Sequence, residues 1–211
     1  MIARPAKSLV GGLVVALLLA VALTGCDSTS SPTASISAVQ TGAGGFAGAA
    51  LPSGFAAPVL TLRDQTRHRV SLAGLRGRVA IVTFISTRCG APCKVIAQQI
   101  RGALDDLSAP VPTLIVSADP AADTPGSVRR FLSRAGLLGR VRYLTGTLAQ
   151  LQVAWRAFHV APASAARGAF GRSAPVYVFD RAGRARVIFQ LEQLTPEGLA
   201  HDVRAVQREG R

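Results

Sequence analysis

Residues 58–211 show blocks of strand-like and helix-like hydrophobic patterning that follow one another along the chain. Two near-continuous apolar runs rich in β-branched residues, over 78–86 and 111–118, are typical of central strands covered on both faces. After the first run, apolar side chains recur at the spacing of a helix face: Ile96, Ile100, Ala103, Leu104 and Leu107. The pattern therefore predicts a buried strand, a helix and a second buried strand, in that order.

The rest of this region gives shorter elements with start and turn signals. They are two short strands around a polar turn (59–72), a helix capped by Asp123 or Thr124, a helix over 148–158, a hairpin over 175–191 that turns at "DRAG", and a closing helix capped by Thr195. Strands that alternate with helices predict an α/β sheet flanked by helices. The order and length of the elements fit a thioredoxin-like fold with an N-terminal β extension.

The first residues of the chain contain the successive regions of a secretory signal peptide. Arg4 and Lys7 form a positive region, residues 9–23 form an apolar region too short for a spanning helix, and "LTGC" (23–26) resembles the lipobox of bacterial lipoproteins. The resemblance implies that residues 1–25 are removed and that Cys26 carries a lipid anchor. The predicted location is the extracytoplasmic face of a bacterial cell membrane, an oxidising environment in which thiols form disulfides.

Residues 27–57 consist mostly of Ser, Ala, Gly, Thr and Pro, with one charged residue and no sustained periodicity. Such a stretch does not bury enough apolar surface to offset the entropy of the chain. We therefore expect lipidated Cys26 and a flexible tether over 26–57, followed by one folded domain over 58–211. A monomer is the default expectation.

The chain is strongly basic. Lys and Arg number 24 against 11 Asp and Glu, which gives a formal net charge of +13. With an extracytoplasmic address and no basic run interleaved with aromatic residues, this charge argues against nucleic acid as a partner. Anionic lipid head groups or an acidic partner protein fit the charge, and arginines scattered over a solvated surface explain it equally well.

Two of the three cysteines, Cys89 and Cys93, lie between the first buried strand and the helix that follows it. Once Cys26 is assigned to the lipid anchor, one close pair remains, which indicates a reactive site rather than a disulfide scaffold. Two sulfurs do not complete a zinc site, whereas Cu(I) is soft and accepts few thiolate ligands. The spacing leaves open a redox dithiol, a copper site or an inert buried pair.

The surroundings of the pair favour reactivity. Pro92 fits the first turn of a helix, so we expect the helix to begin at Ala91 or Pro92. Cys93 then lies at the positive end of the helix dipole, and Arg88 and Lys94 flank the pair. Each of these features favours a thiolate over a thiol.

Several stretches resemble the Sco/SenC family, in the family's order. They are the segment from "LTLRDQ" through "LRG" to the C-x-x-x-C at Cys89 and Cys93, then "SADPAADTP" (117–125), "YLTGTLAQLQVAWRAFHV" (143–160) and "SAPVYVFDRAGR" (173–184). The resemblance covers nearly all of residues 58–205. It implies a thioredoxin-like fold, and a membrane-tethered role in delivering copper to, or reducing the thiols of, the dinuclear copper site of cytochrome c oxidase. Cys89 and Cys93 are then copper ligands and a redox dithiol.

One position departs from the family pattern. The family's third copper ligand is a histidine directly before the "SA" that opens the late hairpin, and here that residue is Arg172. A guanidinium is permanently charged and does not coordinate a metal cation. One interpretation is that His159 substitutes as a ligand, although an ordinary surface histidine is favoured there. Otherwise Cu(I) binds the two cysteines alone, or copper is lost and Arg172 stabilises a thiolate of a purely redox pair.

The leading hypothesis is a Sco-type accessory protein that acts on copper or on the thiols of the copper-receiving subunit of cytochrome c oxidase. The alternative is a general extracytoplasmic thiol–disulfide oxidoreductase that has lost copper binding. The attacking residue stays open, since the family order favours Cys89 and the helix dipole favours Cys93. A peroxidase fits less well: Ser86 matches the peroxidase pattern, but Val82 stands where its proline belongs.

Four other residues in these stretches have mainly structural interpretations. Asp119 and Asp123 fit turn and helix-cap chemistry, and Trp155 fits the core face of a helix. Pro175 opens the strand where thioredoxin-like oxidoreductases carry a cis-proline, but it falls one residue late. A trans-proline at the start of a strand is therefore the favoured interpretation.

Overall fold

The computed structural model describes residues 44–52, 54–162 and 174–209, which form a mixed sheet with four helices packed around it. The elements are β1 (Ala49–Ala50), β2 (Thr61–Arg63), β3 (Arg69–Ser71), β4 (Ala80–Ile85), α1 (Ala91–Asp106), β5 (Thr113–Ser117), α2 (Pro125–Arg134), β6 (Arg142–Leu144), α3 (Leu148–Ala157), β7 (Val176–Phe179), β8 (Ala185–Phe189) and α4 (Pro196–Glu209).

β4 is a central strand of the six-stranded sheet, whose order is β1-β8-β7-β4-β5-β6. It pairs in parallel with β5 and antiparallel with β7, and all six of its residues are buried. A strand covered on both faces needs apolar side chains on both faces, which is the pattern over residues 78–86. The α/β architecture that the sequence predicts is confirmed. The predicted two short strands are also present, as the separate β2–β3 pair.

The helices begin where the sequence places their caps. α1 begins at Ala91, with the expected proline in its first turn. The cap of α2 is Thr124 rather than Asp123, because the Thr124 side chain accepts the N–H three residues ahead at 3.3 Å. Thr195 does the same ahead of α4, at 3.0 Å. Side-chain caps thus fix the starts of α2 and α4, whereas α1 begins after Gly90 without a side-chain cap hydrogen bond.

The folded part of the chain begins earlier than the sequence predicts. Residues 44–52 and 54–57, assigned above to the flexible tether, belong to the fold. β1 pairs antiparallel with β8 as an edge strand of the sheet, and the side chain of Phe46 is buried. The structure therefore corrects the predicted tether at these residues, whereas residues 26–43 lie outside the described part of the chain.

Asp202, buried in α4, holds this N-terminal segment. Its carboxylate accepts hydrogen bonds from the backbone N–H groups of Ala47 at 2.8 Å and Gly48 at 2.9 Å. A segment of small residues has no periodicity that reveals burial, and its hydrogen-bond partner is 154 positions away along the chain. The composition of this segment therefore predicted a tether. Hydrogen bonds to residues far away in the chain make it an edge strand instead.

Within the residues that the structure describes, no helix is both long and apolar enough to cross a membrane. The apolar run over 9–23 and Cys26 lie outside those residues.

Candidate functional site

Cys89 and Cys93 form a disulfide at the carboxyl end of β4. The loop that follows β4 ends at Gly90, and α1 begins at the next residue. Gly90 has a φ of 83°, a backbone conformation that glycine adopts without strain at Cβ. The Cα atoms of the two cysteines lie 5.9 Å apart, as a disulfide requires. The structure thus brings together the two residues that the sequence identifies as a candidate site.

The two cysteines differ in burial. Cys93 is the third residue of α1 and is 1% exposed, whereas Cys89 lies in the loop and is 8% exposed. The first N–H groups of a helix have no carbonyl partner within it, so Cys93 lies at the positive end of the helix dipole. The position of Cys93 therefore favours a thiolate there, and Cys89 is the more exposed of the two residues.

The disulfide contributes little to the stability of the fold. The two cysteines are separated by only 4 positions, and cross-linking so short a loop lowers the entropy of the unfolded chain by an amount worth about 2 kcal/mol. Both cysteines belong to the buried core, but most of that core consists of apolar side chains from the strands and helices. We therefore expect the domain to stay folded when the pair is reduced.

Asp123 fixes the loop ahead of Cys89. Its buried carboxylate accepts hydrogen bonds from the backbone N–H of Thr87 at 2.8 Å, the hydroxyl of Ser117 at 2.6 Å and the hydroxyl of Tyr143 at 2.8 Å. Burial raises the pKa of the Asp123 carboxyl, against the lowering effect of these hydrogen bonds. Asp123 is therefore structural, as the sequence favours, but it joins the cysteine loop to β5 and β6 rather than capping α2.

The other members of this network were not predicted from the sequence. Tyr143 is fully buried, and burial together with the nearby Asp123 carboxylate raises its pKa well above the ordinary value of 10.0. Its hydroxyl also lies 2.7 Å from the carbonyl oxygen of Ile85, the last residue of β4. Trp155, which is in the core as predicted, donates its indole N–H to the Ser117 carbonyl at 2.9 Å. The one signal for such a network is that a buried tyrosine or tryptophan needs a polar partner.

Asp119 has a role at the surface. It accepts the backbone N–H groups of Ala121 and Ala122 at 3.1 Å, which closes a turn. It also pairs with Arg88 at 3.2 Å, where the Arg88 side chain is 70% exposed. An exposed pair of this kind contributes at most about 1 kcal/mol. The turn interpretation of Asp119 therefore agrees with the structure.

The structure does not bring His159 to the cysteines. His159 is exposed after the end of α3, and its ring packs edge-on against Phe55 with centroids 6.3 Å apart. Among the described residues, no three His, Cys, Asp or Glu side chains come together as a metal-binding group. The expectation that His159 substitutes as a third ligand thus finds no support in the geometry.

The other two histidines are engaged elsewhere. His68 contacts a threonine hydroxyl at 2.8 Å in the β2–β3 turn, and His201 contacts the carboxylate of Asp202 at 2.9 Å. Arg172, which the sequence places where the family histidine belongs, lies outside the described residues, as does Cys26.

Pro175 is preceded by a trans peptide bond, since no peptide bond among the described residues is cis. Its carbonyl oxygen accepts a hydrogen bond from the Thr83 hydroxyl of β4 at 2.9 Å. The trans interpretation made from the sequence is confirmed, and Pro175 serves here to attach the start of β7 to the central strand.

Replacing Asp123 with alanine is expected to lower the free energy of unfolding by about 3 kcal/mol, because buried donors that now meet the carboxylate lose their acceptor. Asp123→Asn retains one acceptor oxygen and is expected to cost about 1 kcal/mol. Urea unfolding at neutral pH measures both values. Asp119→Ala is the surface control, with an expected change within about 0.5 kcal/mol.

The pH dependence of Asp123 has a definite sign. Because its folded pKa lies above the ordinary value of 3.8, the unfolded chain loses this proton first as the pH rises. The stability of the wild type relative to Asp123→Asn is therefore greatest at low pH and falls as the pH rises from 3.8 through the folded pKa. A relative stability that instead rises with pH contradicts a raised pKa.

Comparison with known proteins adds a bacterial relative. The chain is 36% identical over 108 residues, 48% of its length, to a protein of Stutzerimonas stutzeri named "Putative copper-binding protein". The matched region spans 51% of that protein, so the chain spans about half the length of the curated relative it matches.

Solved structures resemble the fold over most of its length. BsSco, described as a member of the Sco family of cytochrome c oxidase assembly proteins with a disulfide switch, gives a TM-score of 0.59 at 22% identity. That match covers 74% of this chain and 95% of BsSco. A SCO1/SenC family lipoprotein of Bacillus anthracis gives 0.60 at 16% identity, covering 73% of this chain and 96% of that one. At such identities the likeness concerns the fold alone, and it confirms the thioredoxin-like architecture.

The remaining comparison matches the sequence with a family model over most of the folded part. A family model described as SCO1/SenC matches residues 56–208, which include both cysteines, the Asp123 network and the late hairpin. The match spans well over half of the chain and begins near β2, where the two-stranded extension starts. This chain belongs to the SCO1/SenC family.

Proposed function

We propose that this protein is a membrane-tethered, extracytoplasmic Sco-type protein that handles copper, or reduces thiols, in assembly of the copper site of cytochrome c oxidase. The observation that carries the proposal is the pairing of Cys89 with Cys93 at the start of α1. Membership of the SCO1/SenC family supports it. So do the copper-binding name of the bacterial relative and the oxidase-assembly description of BsSco's family.

Copper is the cargo in this proposal. Once reduced, Cys89 and Cys93 supply two thiolates, and Cu(I) is soft enough to be held by so few sulfur ligands. The two cysteines fit Cu(I) on these terms, because their Cα atoms lie 5.9 Å apart and reduction frees both sulfurs at the start of α1. Cu(II) favours nitrogen and oxygen ligands in a tetragonal arrangement, so two sulfurs without an imidazole suit it poorly.

In the thiol reaction, the reduced pair passes two electrons to a disulfide of the partner. The Cys89 thiolate attacks one partner sulfur, which forms a mixed disulfide and releases the other partner sulfur as a thiolate. The Cys93 thiolate then attacks the Cys89 sulfur, closes the Cys89–Cys93 disulfide and releases the second partner thiolate. An extracytoplasmic dithiol is needed to reduce the pair again.

The difference in burial supports this order of attack. Cys89 is the more exposed of the two residues and Cys93 is almost fully buried. In the reverse reaction, attack on Cys89 expels Cys93 as a thiolate into the positive end of α1, where it is a good leaving group. The helix dipole therefore favours a thiolate on Cys93 without making Cys93 the residue that meets the partner.

The membrane location rests on Cys26. The lipobox-like "LTGC" and the apolar run before it support a lipid anchor on Cys26, and the Bacillus anthracis structure is described as a lipoprotein. Cys26→Ser is expected to shift the protein from the membrane pellet to the soluble fraction after cell lysis. A wild type whose Cys26 carries no lipid by mass spectrometry contradicts the anchor.

Cu(I) titration of the reduced protein against a chromogenic Cu(I) chelator tests the copper role. The wild type is expected to bind one Cu(I), and Cys89→Ser/Cys93→Ser to bind at least about a hundredfold more weakly, since losing even a supporting contact costs 10–100-fold. His159→Ala is the matched control and is expected to bind as the wild type does. Equal Cu(I) affinity of the wild type and the double variant excludes copper handling by this pair.

A second candidate is a general thiol–disulfide oxidoreductase that has lost copper binding. It is favoured by Arg172 in place of the family histidine and by the absence of a third ligand near the pair among the described residues. A wild type that exchanges disulfides but has no Cu(I) affinity beyond that of the double variant supports this candidate.

A further inference from the structure

A basic cavity between α1 and α2, here called the α1–α2 groove, opens beside the disulfide. Its volume is about 530 Å³, and four cations line it: Arg88, Lys94, Arg130 and Arg134. Arg88 directly precedes one cysteine in the chain and Lys94 directly follows the other. Neither cysteine lines the groove, but each is bonded to a residue that does, and successive Cα atoms are about 3.8 Å apart. The backbone that carries the disulfide therefore runs along one end of the groove.

Helix periodicity explains why the cations face one another. On α1, Lys94 and Gln98 are one turn apart and both line the groove. On α2, Ser127, Arg130 and Arg134 recur three and four residues apart and form a second wall. Three partly or fully buried apolar residues form the floor of the groove: Ala122, just before α2, and Phe131 and Ala135, on the α2 side.

The groove carries positive charge without compensation. None of its described lining residues is a carboxylate. Arg88 pairs with Asp119, but both side chains are exposed and such pairs are weak. Within the part of the chain that the structure describes, Lys94, Arg130 and Arg134 form no salt bridge. Like charges around one cavity repel, and a bound anion relieves that repulsion.

We propose that the α1–α2 groove binds an acidic peptide segment, rich in Asp and Glu, of the protein that exchanges thiols with Cys89–Cys93. This inference rests on the proposed function, because it takes the disulfide to have a protein partner. A cavity of this volume holds several side chains rather than one ion, and its apolar floor suits the stems of glutamate side chains. The cations surround a concave site, whereas a lipid bilayer presents a flat surface, so a peptide fits better.

Binding in the groove brings the partner's sulfur to the reactive pair. Arg88 and Lys94 hold the acidic segment of the partner at the end of the groove nearest to Cys89. A partner cysteine next to that segment is then close to Cys89. Electrostatic attraction also raises the association rate, by about tenfold or more at low salt. The groove thereby selects thiols that lie next to acidic residues.

Two short synthetic peptides test binding apart from redox chemistry. One consists of Asp and Glu around a central Ser, and the other is its Asn and Gln counterpart; both carry a fluorescent label for anisotropy with the oxidised full-length protein. The acidic peptide is expected to bind and the amide peptide not to bind. Arg130→Gln/Arg134→Gln is expected to weaken binding about tenfold.

The matched control removes the same charge elsewhere. Arg78 and Arg142 line a second cavity, of about 410 Å³, near the residues where β5 and β6 begin, and neither forms a salt bridge within the described residues. Arg78→Gln/Arg142→Gln is expected to change the affinity less than about twofold, because distant exposed charges are screened. Equal losses in the two double variants overturn the proposal in favour of net charge. An acidic peptide that does not bind the wild type overturns it as well.

The same peptides with Cys in place of Ser then reduce the disulfide: two peptide thiols become one peptide disulfide, and Cys89 and Cys93 become thiols. The acidic peptide is expected to react about tenfold faster at low salt, and the advantage to disappear at high salt and in Arg130→Gln/Arg134→Gln. The rate with the amide peptide should be the same in both proteins. A disulfide that reacts with neither Cys peptide, while the Ser peptide still binds, refutes the dithiol function and leaves the acidic-peptide site standing.

A lipid occupant gives a different result. Vesicles of phosphatidylcholine with phosphatidylglycerol are compared with pure phosphatidylcholine vesicles by co-sedimentation, using protein in which Cys26→Ser removes the proposed anchor. If anionic vesicles bind and Arg130→Gln/Arg134→Gln abolishes that binding, while the acidic peptide does not bind, the groove serves a membrane and the proposal is wrong.

Discussion

Cys93→Ser is expected to trap a partner thiol on Cys89 and to abolish disulfide turnover. The reduced variant attacks a disulfide through Cys89 and forms a mixed disulfide, but no second thiol remains to resolve it. Cys89→Ser is expected to react far more slowly, because Cys93 is 1% exposed against 8% for Cys89. The two serine variants therefore assign the attacking and the resolving residue, which the sequence leaves open.

An aromatic disulfide that releases a coloured thiolate measures this outcome. In a Cys26→Ser background only the two site cysteines remain. The reduced protein is then expected to release two equivalents and to end as the Cys89–Cys93 disulfide. Cys93→Ser should release one equivalent and gain the mass of one aromatic thiol. A Cys89→Ser variant that is the faster of the two to form the adduct reverses the assigned roles.

Folding is the control for these variants. Loss of the disulfide removes about 2 kcal/mol of stability, since the closed loop is so short, and both serine variants keep the apolar side chains of the strands and helices that make up most of the core. Both serine variants are therefore expected to unfold cooperatively, at a temperature lowered by only a few degrees. A variant that does not fold shows instead that the pair is a structural cross-link.

Local signals in the sequence were enough to predict the elements around the cysteines. β4 is an apolar run because both of its faces are covered. Pro92 fixes the first turn of α1, and Thr124 caps α2 with its own side chain. In each case the residues that decide the structure are neighbours in the chain, so their spacing contains the information.

What the sequence did not predict depends on contacts between distant residues. Ala49–Ala50 becomes an edge strand because β8 offers it hydrogen bonds and Asp202 holds the segment before it. In the sequence Asp123 has the position of a helix cap. In the structure it bonds instead to Thr87, 36 positions before it, and to Tyr143, 20 positions after it. No periodicity reports such pairings, because burial and hydrogen bonding arise only when the sheet has brought the elements together.

The α1–α2 groove is another case of the same kind. Lys94 and Arg130 belong to separate helices, and along the chain each looks like an ordinary solvated charge. The net charge of +13, taken alone, is explained equally well by an acidic partner and by arginines scattered over the surface. The arrangement of α1 and α2 gathers four cations around one cavity beside the disulfide, which favours the acidic partner.

Arg172→His is expected to give the protein a tight Cu(II) site that the wild type lacks. Resemblance to the family places a copper-binding histidine at this position, and the substitution exchanges a permanent positive charge for a neutral imidazole ligand. A permanent positive charge near a bound cation disfavours binding, and Cu(II) accepts an imidazole nitrogen as a ligand. The substitution is therefore expected to raise the Cu(II) affinity by roughly a hundredfold.

Two further substitutions separate repulsion from coordination. Arg172→Gln removes the charge without adding a ligand, so it should raise Cu(II) affinity much less than Arg172→His does. Arg167→His makes the same exchange at a neighbouring arginine and should leave affinity unchanged. Cu(II) titrations followed by sulfur-to-copper charge-transfer absorption compare the three variants. If Arg172→His binds Cu(II) no better than the wild type, the single arginine does not explain a lost site, and the dithiol rather than copper becomes the chemistry of this protein.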